Sequence, residues 1–150
     1  MKRLFVAVLV GMFFMSTAAV CLAAGNADQG KTMVENAIAF LKANGKDKTL
    51  AEINNQKGKF VKGDVYVVVL DMKATILAHP YNSKLVGKSL LEVPDPDGKM
   101  FRKEMVNVAG TKGSGWVDFK YKNPVSNKVE NKTAFIQKAD DMIFVCGVYK

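Results

Sequence analysis

The stretch GDVYVVVLDMKATILAHPYNSKLVGKSLL, residues 63–91, has the clearest structural pattern in the chain. It contains two apolar runs, residues 65–70 and residues 74–78, separated by a short polar turn. Because Val, Ile and Tyr fit the pleated, half-buried surface of a sheet, these runs predict two antiparallel strands joined by a tight turn. The second run ends at His79 and Pro80, and a proline has no N–H to donate to a neighbouring strand. The hairpin is therefore predicted to place His79 at a strand end, beside a polar loop.

Helical spacing of apolar residues appears before and after this hairpin. Residues 28–43 predict a first amphipathic helix, and Thr49 with Glu52 has the spacing of a capping box before a short second helix at residues 50–55. A third helix is predicted to begin near Met100. Its apolar face is predicted to carry Met100, Phe101, Met105, Val108 and Ala109, and its polar face Arg102, Lys103 and Glu104.

Three further strands follow the third helix. Residues 116–121 alternate cleanly, so that Phe119 and Tyr121 are predicted to share one face of the sheet. Residues 132–138 form the next predicted strand, and residues 142–149 are apolar on both faces, which is typical of a central strand. The order of helix, helix, two strands, helix and three strands predicts an α+β domain with an antiparallel sheet.

Composition restricts the class of protein. The chain has 150 residues, of which 49% are hydrophobic, and this favours one globular domain over a disordered or collagen-like chain. The formal net charge of +8 falls to +6 if Lys2 and Arg3 are removed with a leader, and it favours acidic small molecules or anionic surfaces as partners, although such a charge also simply keeps a protein soluble. Nucleic acid is not expected as a partner, because the sequence has no basic run of five or more residues and no basic motif interleaved with aromatic residues.

The first residues resemble an export signal. Lys2 and Arg3 precede a long apolar run, and small residues follow, so residues 1–24 are predicted to be a signal peptide and residues 25–150 the mature domain. The protein is then periplasmic or secreted. The main alternative is an uncleaved leader that anchors the protein in the membrane, because the apolar run reaches about the minimum length for a span. A lipoprotein site at Cys21 is a weaker alternative.

Catalytic, cofactor and metal motifs are absent from the sequence. It contains no glycine-rich phosphate loop, no G-x-S-x-G, no C-x-x-C-H and no metal-spaced cluster of His, Cys, Asp and Glu. After cleavage of the leader, Cys146 would be the only cysteine, and its apolar neighbours favour a buried structural residue over a nucleophile. We therefore predict no enzyme activity, no cofactor and no metal.

Six motifs occur in order along the chain and together resemble a known family. They are YVVVLDMKATILAHP (66–80), KLVGKSL (84–90), DPDGK (95–99), GSGWVDFKYKNP (113–124), NKTAFIQK (131–138) and CGVYK (146–150). In this order they resemble the single Cache domains, and among these the second type, which are small extracytoplasmic sensor modules of bacterial chemoreceptors and histidine kinases. The resemblance covers residues 27–150.

The resemblance implies a PAS-like fold, with a long N-terminal helix packed on a five- to six-stranded antiparallel sheet and a ligand pocket on the other face. It also implies short carboxylates, such as acetate, propionate, pyruvate or lactate, as ligands. The chain departs from the receptor pattern because no segment after the leader is apolar enough to cross a membrane. It also has Asp140, Asp141 and Met142 where many relatives have a tryptophan-rich turn.

Seven residues are predicted to bind the ligand. His79 can donate and accept hydrogen bonds and is expected to titrate between pH 5.5 and 7.5, and Lys132 can attract a carboxylate. Tyrosine hydroxyls and phenylalanine rings would complete a small apolar site. The full set is Tyr66, His79, Pro80, Phe119, Tyr121, Lys132 and Phe135. For each of these residues the alternative is a role without a ligand, as a residue at a strand end, in the core or in contact with solvent.

The function predicted from the sequence is an exported sensor domain that binds a small organic acid. It would act through a membrane receptor, kinase or transporter in signal transduction or chemotaxis. The alternative is a ligand-free interaction module on the same PAS-like scaffold in the cell envelope. The oligomeric state and the identity of the ligand stay open.

Overall fold

The structure is a computed structural model that describes the backbone of residues 18–150 and the side chains of residues 27–150. The predicted signal peptide falls mostly on residues 1–17, which lie outside the described residues, so its cleavage stays a prediction. None of the helices in the described part of the chain is both long enough and apolar enough to cross a membrane.

The described chain forms three α-helices and six strands in an α+β arrangement. The helices are α1 (Ala18–Asn44), α2 (Lys46–Asn54) and α3 (Phe101–Thr111), and the strands are β1 (Val61–Lys62), β2 (Val65–Asp71), β3 (Ile76–Ala78), β4 (Ser114–Lys122), β5 (Val129–Ala139) and β6 (Met142–Tyr149). All strands pair antiparallel in the order β1-β2-β6-β5-β4, and β3 pairs with β2. The predicted α+β class and the central position of β6 are confirmed.

The sheet has a different layer on each face. Side chains alternate along β6, so Phe144 and Cys146 pack in the core beneath α1 and α2, whereas Ile143 and Val145 pack in a second core beneath α3. The apolar character of β6 on both faces follows from this double burial. The long helix therefore covers one face of the sheet and leaves the other to α3 and the loop that precedes it.

The loop after β3 returns across the second face of the sheet. Asp71 Oδ1 accepts N–H donors from Lys73 and Thr75, which closes the turn between β2 and β3. Further along, the amide of Gly87 donates to the carbonyl of Ile76 at 2.8 Å, and Gly87 adopts a positive φ of 83° that favours glycine. These bonds hold the loop over the α3 side of the sheet, where it helps to enclose a cavity.

Four element predictions need correction. α1 begins at Ala18 rather than at residue 28, and β1 lies before the hairpin, where no strand was predicted. β3 is shorter than residues 74–78 because Ala74 has a left-handed φ of 55°. The predicted capping box is wrong: α2 begins at Lys46, so Thr49 lies inside the helix and donates to the carbonyl of Gly45 at 2.7 Å.

Candidate functional site

A half-open cavity lies between the sheet, α3 and the loop after β3. It offers about 50 Å³ in which the centre of a water molecule can lie. Its polar lining consists of Tyr66, His79, Arg102, Tyr121 and Lys132, and the rest of its wall of Val68, Leu70, Ile76, Leu85, Phe101, Met105, Phe119, Val145 and Gly147. Among the described residues that form this wall, none is acidic.

Five of the seven predicted site residues meet in this cavity. Tyr66 comes from β2, His79 follows β3, Phe119 and Tyr121 lie on β4, and Lys132 lies on β5. Residues separated by up to 66 positions in the sequence are thus brought together, since Tyr66 and Lys132 both point to the α3 side of the sheet. Whether these residues bind a ligand stays a prediction.

Phe135 and Pro80 do not line the cavity, and their predicted place in it was wrong. Phe135 belongs to the core beneath α1, where its ring lies 5.2 Å from that of Trp116. Lys132 and Phe135 are separated by three positions in one strand, so their side chains must point to opposite faces of the sheet. Pro80 is buried directly after the strand-end histidine but is not part of the cavity wall.

Lys132 is buried in a cage of aromatic rings. Its side chain is 5% exposed, and Nζ lies 4.1 Å from the ring centre of Tyr66, 4.4 Å from that of Tyr149 and 5.9 Å from that of Tyr121. We call these three residues the tyrosine cage. Nζ also donates to the hydroxyl of Tyr149 at 3.3 Å. Burial lowers the pKa of Lys132 to about 8, because the charged form loses its hydration.

Arg102 is a second buried cation at the cavity. It is 6% exposed, its guanidinium lies 4.1 Å from the ring centre of Phe101, and Nη1 donates to the carbonyl of Val93 at 3.2 Å. Burial lowers its pKa. The prediction that Arg102 lies on the polar face of the third helix was wrong. The spacing contained a usable signal, because Arg102 precedes the buried Met105 and Ala109 by three and seven positions, which is one helical stripe.

His79 is neutral at physiological pH. Its Nδ1 accepts backbone N–H donors from Tyr81 at 3.2 Å and Asn82 at 3.1 Å, so the proton of the neutral ring resides on Nε2. Burial, followed by the charges of Lys132 and Arg102, lowers the pKa of His79 to about 4. The expected titration between pH 5.5 and 7.5 is therefore wrong, and the imidazole offers a cavity ligand one N–H donor.

The two buried cations have no acidic partner in the described part of the chain. None of the ion pairs formed there includes Lys132 or Arg102. A buried charge is costly unless it is paired, so a cavity lined by two such cations and a neutral N–H donor is suited to an anion. Tyrosine hydroxyls at the wall can donate further hydrogen bonds to anionic oxygens.

Metal and nucleophile chemistry find no support at this site. Among the residues that the structure describes, no group of three or more His, Cys, Asp or Glu is arranged to hold a metal ion. Cys146 lies on the α1 side of the sheet, away from the cavity, with its Sγ 3.8 Å from Met33 Sδ. Burial raises the pKa of its thiol to about 12, so the thiolate form is disfavoured.

Comparison with known proteins identifies relatives of this architecture. The sequence matches the family Single Cache domain 2 over residues 25–149. Methyl-accepting chemotaxis protein McpP of Pseudomonas putida is 33% identical over 88 residues, which are 57% of this chain and 16% of that protein. Sensor histidine kinase MctS of Rhizobium johnstonii is 29% identical over 84 residues, which are 56% of this chain and 18% of that protein. The chain thus spans less than a fifth of each of these relatives.

Solved structures share the fold at low sequence identity. A Cache chemosensory domain that recognises carboxylic acids has a TM-score of 0.70 and 24% identity, with 89% of this chain and 99% of that chain covered. A methyl-accepting chemotaxis protein from Vibrio parahaemolyticus has a TM-score of 0.72 and 19% identity, with 87% and 92% covered. The periplasmic sensor domain of a chemotaxis protein has a TM-score of 0.68 and 23% identity, with 90% and 99% covered.

Proposed function

The chain belongs to the Single Cache domain 2 family, a family of non-catalytic sensor domains, and on this basis we propose that its cavity binds a short monocarboxylate. The domain would then report ligand occupancy to a membrane protein. One observation carries the proposal: Lys132 and Arg102 are both buried at one small cavity without an acidic partner in the described chain.

A carboxylate fits the chemistry of the wall. It would accept charge-assisted hydrogen bonds from Lys132 and Arg102 and a neutral one from His79 Nε2–H, and each charged bond contributes on the order of 1.5–3 kcal/mol in a dry site. The ligand would compensate charges that the fold leaves unpaired. Zwitterionic amino acids fit less well, because the described wall has no acidic side chain to receive an ammonium group.

The size of the cavity favours a ligand with few atoms. Its volume of about 50 Å³ compares with about 10–15 Å³ for a single water on the same measure, which corresponds to about three to five water-sized groups. Acetate and propionate are of this size, and pyruvate and lactate are slightly larger. The apolar wall around the cations would receive the methyl or ethyl group.

The relatives support a role in signalling. One is a methyl-accepting chemotaxis protein and another a sensor histidine kinase. A fold relative is a periplasmic sensor domain of a chemotaxis protein, and another recognises carboxylic acids. We propose that this domain acts in the periplasm and passes its ligand state to a membrane receptor, kinase or transporter.

A thermal-shift screen of the purified domain tests this function. Acetate, propionate, pyruvate and lactate are compared with amino acids, dicarboxylates and purines. A ligand at a hundred times its Kd adds about 2.7 kcal/mol to the free energy of unfolding, which raises the Tm by several degrees. We expect stabilisation by at least one short monocarboxylate. A screen in which nothing stabilises the domain would contradict the proposal and favour the ligand-free interaction module.

Three variants test whether the ligand that raises the Tm binds in the cavity. Lys132→Met and Arg102→Met remove one buried cation each while keeping an apolar stem of similar length, and each should weaken binding of the stabilising acid by about ten- to a hundredfold. Lys120→Met is the matched control, because Lys120 lies outside the cavity and pairs with Asp97 at the surface. Equal losses in all three variants would assign the effect to net charge rather than to this site.

A further inference from the structure

The side chain of Lys132 crosses a neighbouring strand to reach the tyrosine cage. Lys132 belongs to β5, whereas Tyr66, whose ring centre lies 4.1 Å from Nζ, belongs to β2. β6 runs between these two strands. The residue of β6 that pairs with Tyr66 on one side and with Ala134 on the other is Gly147. The lysine therefore passes over the sheet at the position of Gly147.

A side chain at position 147 has no room beside this lysine. A Cβ atom built on Gly147 would overlap Cε of Lys132 and would lie 3.0 Å from both Cδ and Cγ. Three successive atoms of one stem are thus blocked together, so a small rotation of the terminal group does not relieve the contact. Gly147 is not among the residues with a positive φ, so the backbone does not require a glycine there.

We propose that Gly147 is the positioning residue of the candidate site, because its missing side chain lets Lys132 cross β6 and place its ammonium in the tyrosine cage. A larger residue would force the lysine off the sheet surface and would itself project into the cavity, whose wall includes Gly147. The effect of Gly147 on the position of Lys132 depends only on packing and needs no ligand. The consequence for ligand affinity rests on the proposed function.

The placement is tested without any ligand by NMR of the Gly147→Ala variant. In the wild-type protein Nζ of Lys132 lies 4.1 Å and 4.4 Å from the ring centres of Tyr66 and Tyr149, so we expect ring currents to displace the resonance of the adjoining Cε protons from that of ordinary lysines. The resonance is assigned by its loss in Lys132→Ala. We expect the displacement to disappear in Gly147→Ala. An unchanged resonance in the folded variant would overturn the proposal.

Gly110→Ala is the matched control. A Cβ atom at Gly110 meets only the end of Met72, at an ordinary contact distance of 3.6 Å. This substitution should leave the Lys132 resonance where it is in the wild-type protein. Loss of the displaced resonance in both alanine variants would overturn the specific role of Gly147.

A second variant keeps the test decisive if Gly147→Ala folds poorly. Lys132→Ala removes the three stem atoms that a Cβ at position 147 would meet. The fall in Tm caused by Gly147→Ala should therefore be smaller in the Lys132→Ala background than in the wild-type protein, which is a coupling between the two positions. An equal or larger fall in the Lys132→Ala background would overturn the proposal.

Affinity separates this inference from the proposed function. With propionate as the probe, Gly147→Ala should weaken binding about tenfold or more, and Gly110→Ala should not change it. If propionate and the other short acids fail to bind the wild-type domain while the NMR and stability results are as expected, the proposed function fails and the positioning role of Gly147 stands. If propionate binds Gly147→Ala as tightly as wild type, the positioning role is overturned.

Discussion

Lys132 holds a positive charge where burial disfavours it. The tyrosine cage compensates part of the lost hydration, because a cation over an aromatic ring gains about 0.5–2 kcal/mol. Loss of hydration is the main cause that lowers the pKa of Lys132, to about 8. A bound carboxylate would favour the ammonium further, and this links ligand affinity to pH.

The affinity of a carboxylate ligand is expected to fall above pH 8. If the ammonium form of Lys132 binds the ligand, as proposed, its pKa of about 8 leaves roughly a tenth of the domains competent at pH 9. The Kd should therefore rise about tenfold between pH 7 and pH 9. Between pH 5.5 and 7.5 it should change by less than about 1.5-fold, because the pKa of His79 is lowered to about 4 and Lys132 stays mostly protonated. Calorimetry across this range measures both parts of the curve.

Lys132→Met provides the control for this pH dependence. It removes the titrating group, so the weaker affinity of the variant should be independent of pH up to 9. A wild-type Kd that is flat to pH 9, or a variant that keeps the same slope, would show that another group controls binding.

At the scale of residues, the sequence predicted the cavity only in part. Parity within a strand is a strict rule, and applying it to Lys132 and Phe135 would have removed Phe135 from the site. Arg102 was missed because an arginine among charged neighbours was assigned to the solvent face, although its spacing from Met105 fits the buried stripe. The tautomer of His79 depends on two backbone amides that donate to its Nδ1, and no sequence pattern predicts that contact.

At the scale of elements, the segment before α3 is tied to β4 by one carboxylate. Asp95 Oδ1 accepts N–H donors from Asp97 at 3.0 Å and Lys99 at 2.9 Å, and Oδ2 accepts from Lys120 at 2.9 Å. The pKa of Asp95 is lowered, first by the hydrogen bond from the N–H of Lys120. Burial acts in the opposite direction and raises the pKa, but the amides of Lys99 and Asp97 lower it further. This carboxylate therefore fixes the start of α3, and with it Arg102, against the sheet.

Asp95→Asn is expected to lower both the Tm and the affinity for the ligand. An asparagine keeps one acceptor for the turn but presents an NH₂ group to the amide of Lys120, so the link to β4 is lost. Because the pKa of Asp95 is lowered in the folded state, its contribution to stability is complete above the ordinary pKa of aspartate and is lost as the pH falls through the lowered value. Thermal unfolding at pH 7 and pH 3 measures this difference.

Asp97→Asn is the matched control for the same segment. Asp97 makes an exposed ion pair with Lys120, and such pairs contribute little to stability. Its replacement should change the Tm and the affinity much less than Asp95→Asn does. Equal effects of the two variants would mean that the negative charge of the segment, rather than the hydrogen bond to β4, stabilises it.

Strong local patterns predicted most of the elements. The hairpin, α3 and the last three strands have clear periodicity, and β6 has the predicted bounds of residues 142–149. The failures occur where tertiary contacts override local sequence. β1 is a two-residue strand that exists only because it pairs with β2, and Thr49 lies in a helix whose N-cap is Gly45.

The sheet separates an apolar core from the candidate site. The α1 side is a continuous apolar core, and the α3 side combines apolar walls with two buried cations that form no ion pair with the other residues that the structure describes. The ordered motifs predicted a long helix on a five- to six-stranded antiparallel sheet, and that architecture is confirmed. Periodicity alone did not predict which face would hold a cavity, because both faces of the central strands are apolar.

The cavity is proposed to recognise the charge of a short monocarboxylate. Calorimetric titration of the wild-type domain with propionate and with propionamide, its neutral analogue of similar shape, tests this most directly. We predict one propionate bound per cavity and propionamide bound at least tenfold more weakly, because the amide cannot neutralise Lys132 and Arg102. Equal affinities for the two compounds, or no heat of binding for propionate at millimolar concentration, would contradict recognition of a carboxylate charge by this cavity.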